Sequence, residues 1–148
     1  MTAMVVGLGN DWRGDDGAGL EVSRRLRSAA PPGAVVLERE AEPSGLLEMW
    51  KGKREVILVD AVQSGAEPGT VHRFDAAAAP LPAELFGRST HHLSVADTVE
   101  LGRALDRLPD RLEVLGIEGR RFDLGSGLSP EVGRTVERLA AELRHRLG

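Results

Sequence analysis

Apolar and polar positions alternate along this chain between two periods. Short apolar runs, four or five residues long, are separated by longer stretches in which apolar residues recur every three or four positions. That succession predicts a mostly parallel sheet covered by helices on both faces. Residues 4–8 read as a first strand, and a helix follows over 16–28, ended by Pro31, Pro32 and Gly33. Residues 34–37 make a second strand and 44–50 a short helix. Val56, Ile57, Leu58 and Val59 form the strongest strand, apolar towards both faces as a central parallel strand should be.

A polar turn through Gly65, Pro68 and Gly69 leads to residues 70–74, which alternate like a strand with one wet face. The connection is too short for a crossover helix, so this strand is expected to run antiparallel to its predecessor. The Ala- and Pro-rich stretch 75–88 is expected as a mobile loop. Ser94 and Asp97 have the spacing of a capping box. The helix they start is expected to continue to Leu108, burying Leu101, Ala104, Leu105 and Leu108. Residues 112–117 form the last strand. Ser129 and Pro130 mark the start of a terminal helix with Val132, Val136, Leu139 and Leu143 as its buried stripe. No repeat or second domain is visible, so one α/β domain is expected over 1–148.

Composition narrows the function. The formal net charge is −4, which offers no basic face to nucleic acid. The absence of cysteine removes disulfides, thiolate metal sites and a cysteine nucleophile. No apolar run reaches the length of a membrane span, and no basic leader precedes the first strand, so a cytoplasmic location is expected.

The glycine-rich segment from Gly7 to Gly19 follows a strand and opens a helix, as a dinucleotide loop does. Trp12, however, stands where the fingerprint needs its third glycine, and Asp15 and Asp16 would repel a pyrophosphate. The two acids have two readings. They cap the helix, or they are carboxylates kept ionised by its N-terminus and available to a cation or a proton. Asp60 closes the central apolar run at the carboxyl end of its strand, where open α/β sheets place their sites. Its ordinary role would be to start a turn.

His91 and His92 lie together before the capped helix, in a setting that suits metal or acid–base chemistry. His72 and His145 read as structural. A centre of two carboxylates and one imidazole would suit a borderline divalent ion such as nickel, zinc or iron. No G-x-S-x-G elbow, H-E-x-x-H or C-x-x-C pattern is present.

Taken in order, these motifs resemble the hydrogenase maturation proteases. The likeness rests on Gly7-Leu8-Gly9-Asn10, Asp15-Asp16-Gly17-x-Gly19, Val59-Asp60-Ala61-Val62 and the Pro68-Gly69-Thr70 turn. It continues through Ser89-Thr90-His91-His92-Leu93, Asp97, Gly116-Ile117-Glu118 and Leu128-Ser129-Pro130. The resemblance implies a three-layer α/β sandwich around a five-stranded mixed sheet with one antiparallel strand. It also implies an endopeptidase that removes the C-terminal peptide of a nickel–iron hydrogenase large-subunit precursor after nickel insertion.

By the same likeness Asp16, Asp60 and His91 are both the catalytic and the metal-contacting residues. The nickel arrives with the precursor, so no resident cofactor is expected. The precursor is the expected partner, with neither nucleic acid nor membrane. Some members carry Glu where this chain has Asp16, which leaves Asp15 or Glu42 as further candidates. Two alternatives remain at this point: a non-catalytic nickel-binding checkpoint module, and a peptidyl-tRNA hydrolase, which shares the opening Gly-Leu-Gly-Asn but continues with Pro-Gly.

Overall fold

The computed structural model describes residues 3–29, 32–39, 44–86 and 94–148. Five strands form one sheet in the order β2-β1-β3-β5-β4. They are β1 (Ala3–Leu8), β2 (Ala34–Arg39), β3 (Glu55–Val62), β4 (Val71–Asp75) and β5 (Arg111–Glu118). The helices are α1 (Ala18–Ser28), α2 (Ser44–Met49), α3 (Ala83–Phe86), α4 (Val95–Ala104) and α5 (Pro130–Leu147).

Side-chain alternation along the strands divides the core in two. Met4, Val6, Val56, Leu58, Leu112 and Val114 face Leu46, Trp50, Phe86, Val95 and Val99 from α2, its C-terminal edge, α3 and α4. Val5, Ile57, Val59, Leu115 and Ile117 face Val22 and Leu26 of α1 and Val132, Val136 and Leu139 of α5. The sheet is therefore the middle layer of three, and both of its faces are dry. β1, β3 and β5 occupy its interior and are correspondingly apolar.

From β1 the chain moves outward through α1 to β2, then returns over the opposite face through α2 to β3. The direction of winding thus reverses between β1 and β3, which pair in parallel from Ala3↔Glu55 to Gly7↔Val59. Open α/β sheets bind ligands in the crevice beyond the carboxyl ends of the strands at such a reversal. Helix α1 lies tight against that point. A Cβ at Gly19 would collide with the carbonyl oxygens of Val59 and Leu8, and one at Gly7 with the carbonyl of Gly19. Glycine lets the helix rest directly on the backbones of β1 and β3.

One local expectation is kept and two are corrected. β4 runs opposite to β3, as expected, although the two strands do not pair with each other. β4 pairs antiparallel with β5, which inserts between them in parallel with β3. Helix α4 stops at Ala104, short of Leu108, because Asp106 takes φ 55°. The Asp106 amide then donates to the Arg103 carbonyl and the Arg107 amide to that of Gly102, 3.2 and 2.7 Å, completing a Schellman turn. Aspartate tolerates this left-handed conformation, so no glycine announced the stop. Val95, Val99 and Gly102 line the buried face of α4, while Leu101 and Leu105 are exposed. Finally, the stretch expected to be mobile is anchored to the core at three of its described residues: Ala76, Leu81 and Phe86 are buried, and the Phe86 ring stacks edge-on against Phe74.

Candidate functional site

The loop after β1 closes on itself. The Asn10 amide donates to the Asp16 carbonyl at 3.2 Å, the Asp16 amide to the Arg13 carbonyl at 3.1 Å, and the Asn10 side chain accepts from the Trp12 amide at 2.9 Å. The segment Gly14–Gly17 is a 3-10 turn that leads into α1. The expected helix over 16–28 therefore begins two residues late. This removes the capping reading for both acids. The residue that caps α1 is Gly17, and no side chain caps either the turn or the helix.

Asp15 and Asp16 are neighbours with opposite fates. Asp15 is fully buried, and its carboxylate accepts from the amides of Arg120, Arg121 and Ser129 and from the Ser129 hydroxyl, all within 2.7–3.0 Å. Burial alone would favour the neutral acid, but these bonds outweigh it and hold the Asp15 pKa below the usual carboxylate value. Ser129, at the start of α5, gives its hydroxyl to Asp15 and makes no capping bond of its own. Asp15 therefore fastens the β1–α1 turn to the segment between β5 and α5, and it is a tether.

Asp16 is half-buried and has no hydrogen-bonding or ion-paired side chain among the described residues. Desolvation raises its pKa, opposed by the charge of Arg13 and the Asn10 amide. Asp60 lies inside β3, which runs two residues beyond it to Val62. By alternation Asp60 shares the sheet face of Leu58 and Val62, towards α2–α4. Its one partner among the described residues is the Ala61 amide, 2.9 Å from Oδ1. Burial in a low-polarity setting and the nearby negative charge of Asp16 push its pKa up to about 7, against the lowering by the Ala61 bond. The strand positions both acids at the reversal between β1 and β3, Asp16 on the turn leaving one and Asp60 near the end of the other.

Two carboxylates this close and this poorly partnered are costly to keep ionised. A divalent cation seated between them would cancel their repulsion and replace the missing donors. Their chemistry is thus that of a pair of anionic oxygen ligands. Among the described residues no cluster of three or more such side chains forms a metal site. The expected third member, His91, and the candidates His92 and Glu42 lie outside the described residues.

Sequence spacing gives no sign of a second buried acid, Glu118 at the end of β5, which is 1% exposed. It accepts from the Ser64 amide and hydroxyl at 2.8 and 2.6 Å, from the Gly65 amide at 3.3 Å, and contacts His72 Nε2 at 3.0 Å. Burial opposes its charge, but the Ser64, His72 and Gly65 bonds keep its pKa lowered. The network clamps the turn after β3, downstream of Asp60, and gives His72 the structural place expected of it. Only the pairing of a period-2 strand with a distant acid could have signalled this, and that pairing is not local. No helix among the described residues is long and apolar enough to cross a membrane.

Comparisons with known proteins bear on the family and the fold. The family model described as hydrogenase maturation protease matches residues 21–145, a span that includes Asp60 and His91 and begins just after Asp16. A Methanocaldococcus jannaschii protein proposed to be a hydrogenase maturation protease is 29% identical over 141 residues, covering 91% of this chain and 89% of its own. The [NiFe] hydrogenase maturation protease HycI of Thermococcus kodakarensis superposes with a TM-score of 0.80 at 25% identity, over 99% of this chain and 92% of that one. The maturating endopeptidase HybD of E. coli gives 0.81 at 23% identity with the same coverage, a likeness of fold. Family membership sets aside the peptidyl-tRNA hydrolase alternative. With its five-stranded mixed sheet and a family match across most of its length, the chain belongs to the hydrogenase maturation proteases, a family of peptidases.

Proposed function

We propose that this protein is the endopeptidase that removes the C-terminal peptide of a nickel–iron hydrogenase large-subunit precursor once nickel has been inserted, with Asp16, Asp60 and His91 engaging the precursor's nickel. The observation that carries the reading is the pair Asp16 and Asp60. The buried carboxylates Asp15 and Glu118 of the site region are each held by several donors, whereas Asp60 has one hydrogen bond, from the Ala61 amide, and Asp16 has no side-chain partner among the described residues.

Nickel is here part of the substrate. A divalent ion brought to the pair supplies the positive charge both carboxylates lack, and it polarises a carbonyl or acidifies a water for attack on the scissile bond. The chain's own residues hold the ion and orient it. The Asn10-closed loop fixes Asp16, β3 fixes Asp60, and the Asp15 tether keeps the first from moving relative to the body of the fold. Without nickel, burial and the charge of Asp16 raise the Asp60 pKa to about 7, so ionising both acids near neutrality is unfavourable. Cleavage is thereby coupled to metal loading, which makes the reaction a check on insertion. The location consistent with such a partner is the cytoplasm.

The test mixes purified protein with nickel-loaded and nickel-free precursor and follows the mass of the large subunit. Loss of a C-terminal peptide is expected only from the loaded form, and not with Asp16→Asn, Asp60→Asn or His91→Ala. Binding of the loaded precursor without cleavage by the wild type would favour the checkpoint module. Cleavage surviving all three substitutions would remove the site assignment.

A further inference from the structure

The loops that meet over the Asp15 tether carry the two most exposed large apolar side chains among the described residues. Trp12 is 72% exposed and Leu124 76%, against 40% and 50% for Leu101 and Leu105 on α4. Single exposed leucines are ordinary on a protein surface, but a tryptophan held almost wholly in water is not. The fold makes no use of the Trp12 ring. The structure engages this residue through its backbone: its amide donates to Asn10 and its carbonyl accepts from the Gly125 amide at 2.9 Å. Any residue would serve those bonds equally well.

The mounting is also stiff. The Gly125–Trp12 bond joins the loop of Trp12 to the loop of Leu124, and Asp15 ties the same two segments together through Arg120, Arg121 and Ser129. Trp12 lies four residues before Asp16 inside a loop closed by the Asn10–Asp16 bond. A contact made on this ridge is therefore positioned rigidly against the acid pair, at little cost in ordering the protein.

The ridge has a sign as well. Arg13 and Arg121 are exposed beside the two apolar side chains; of the exposed acids in these loops Asp11 is bound to Arg24 at 2.6 Å, which leaves Asp123 as the one without an ion pair among the described residues, although the chain as a whole carries −4. Arg121 makes no ion pair among the described residues, whereas Arg120 beside it is bound to Glu131 at 3.0 Å. An apolar ridge with such a cation at its edge complements an apolar side chain flanked by an acidic one.

We propose that Trp12, Leu124 and Arg121 form the docking ridge for the large-subunit precursor, receiving an apolar residue of the precursor beside an acidic one. The ridge sets KM, and the acid pair sets the chemistry. The inference rests on the reading of the substrate given above.

It is tested by cleavage kinetics on nickel-loaded precursor for wild type, Trp12→Ala, Leu124→Ala and Arg121→Glu, with melting curves and precursor affinity measured for each. Because the side chains are exposed, melting temperatures should be unchanged. Each apolar truncation should raise KM by about tenfold with kcat within about twofold, as for aromatic anchors at interfaces. Arg121→Glu should raise KM and flatten its dependence on salt.

Unchanged KM in both truncations while the wild type cleaves would overturn the ridge and leave the activity standing. The ridge is overturned equally if the truncations convert a dimer of this chain to monomers with KM unaltered. If the wild type binds precursor without cutting it and the truncations abolish binding, the ridge stands and the peptidase reading of the substrate falls. Should the wild type neither bind nor cut, both fall.

Discussion

Asp60→Asn should stabilise the fold at alkaline pH while abolishing function. In the folded protein the Asp60 pKa is pushed from 3.8 to about 7 by burial and by the charge of Asp16. In the unfolded chain the group ionises at its ordinary value. A raised acid makes the unfolded state release its proton first, so stability is full at low pH and is lost as pH rises from about 4 through 7. Three pKa units at about 1.36 kcal/mol each give a penalty of about 4 kcal/mol above pH 7.5. Structural relaxation reduces the recoverable share to about 2–4 kcal/mol. Asparagine keeps an oxygen for the Ala61 amide and carries no charge, so the variant escapes the penalty.

Urea titrations of wild type and Asp60→Asn at pH 4 and pH 8 would read this directly. The variant should gain about 2–4 kcal/mol at pH 8 and less than about 1 kcal/mol at pH 4. For a chain of this size the alkaline gain corresponds to roughly 5–15 °C in Tm. Comparing the variant with wild type at each pH cancels the opposite contributions of Asp15 and Glu118. Their lowered pKa values give stability that is present above their unfolded values and lost only as pH falls through the folded ones. A variant no more stable than wild type at pH 8, or a difference that does not change between the two pH values, would refute the account of Asp60 as a strained, desolvated acid.

Three further outcomes follow from the same geometry. Asp15→Ala should cost about 3–5 kcal/mol, because it removes a buried acceptor from the Ser129 amide and hydroxyl and from the part-buried amides of Arg120 and Arg121; chemical denaturation should register this at neutral pH, and Asp16→Asn should show no comparable loss. Gly19→Ala should destabilise by about 3 kcal/mol or more, since a methyl there meets the carbonyls of Leu8 and Val59 and forces α1 off the sheet; a helix-for-glycine gain in melting temperature would contradict the close approach. For nickel-loaded precursor, kcat/KM should fall as pH drops below about 7, as Asp60 of the free enzyme takes up its proton, and Asp16→Glu should retain part of the activity that Asp16→Asn loses; the pH profile of kcat/KM checks the first and a mass assay the second.

Much of the architecture is local information and could be read from the chain alone. The fully apolar run Val56–Val59 and the alternation around Phe74 identified a buried strand and an edge strand, and the Ser94–Asp97 capping box and Pro130 set two helix starts that the structure keeps. These signals survive because hydrophobic period and capping chemistry act within a few residues. Asp60 was legible for a similar reason: a charge placed at the end of a central apolar strand is anomalous in sequence. Leu108 and Leu105 misled because period alone cannot see a left-handed aspartate ending α4.

What the tertiary structure alone decided is the meaning of adjacent acids. In sequence Asp15 and Asp16 are the same residue type, one position apart, with the same capping alternative. Their difference lies in donors that arrive from residues 120–129, more than a hundred positions away, and reach only one of them. Likewise β4 could be given a direction but not a neighbour, since β5 enters between it and β3 only after the chain has passed through α4. Hydrogen-bond partners and the field of a second carboxylate depend on distance in space. The chain specifies them only by folding.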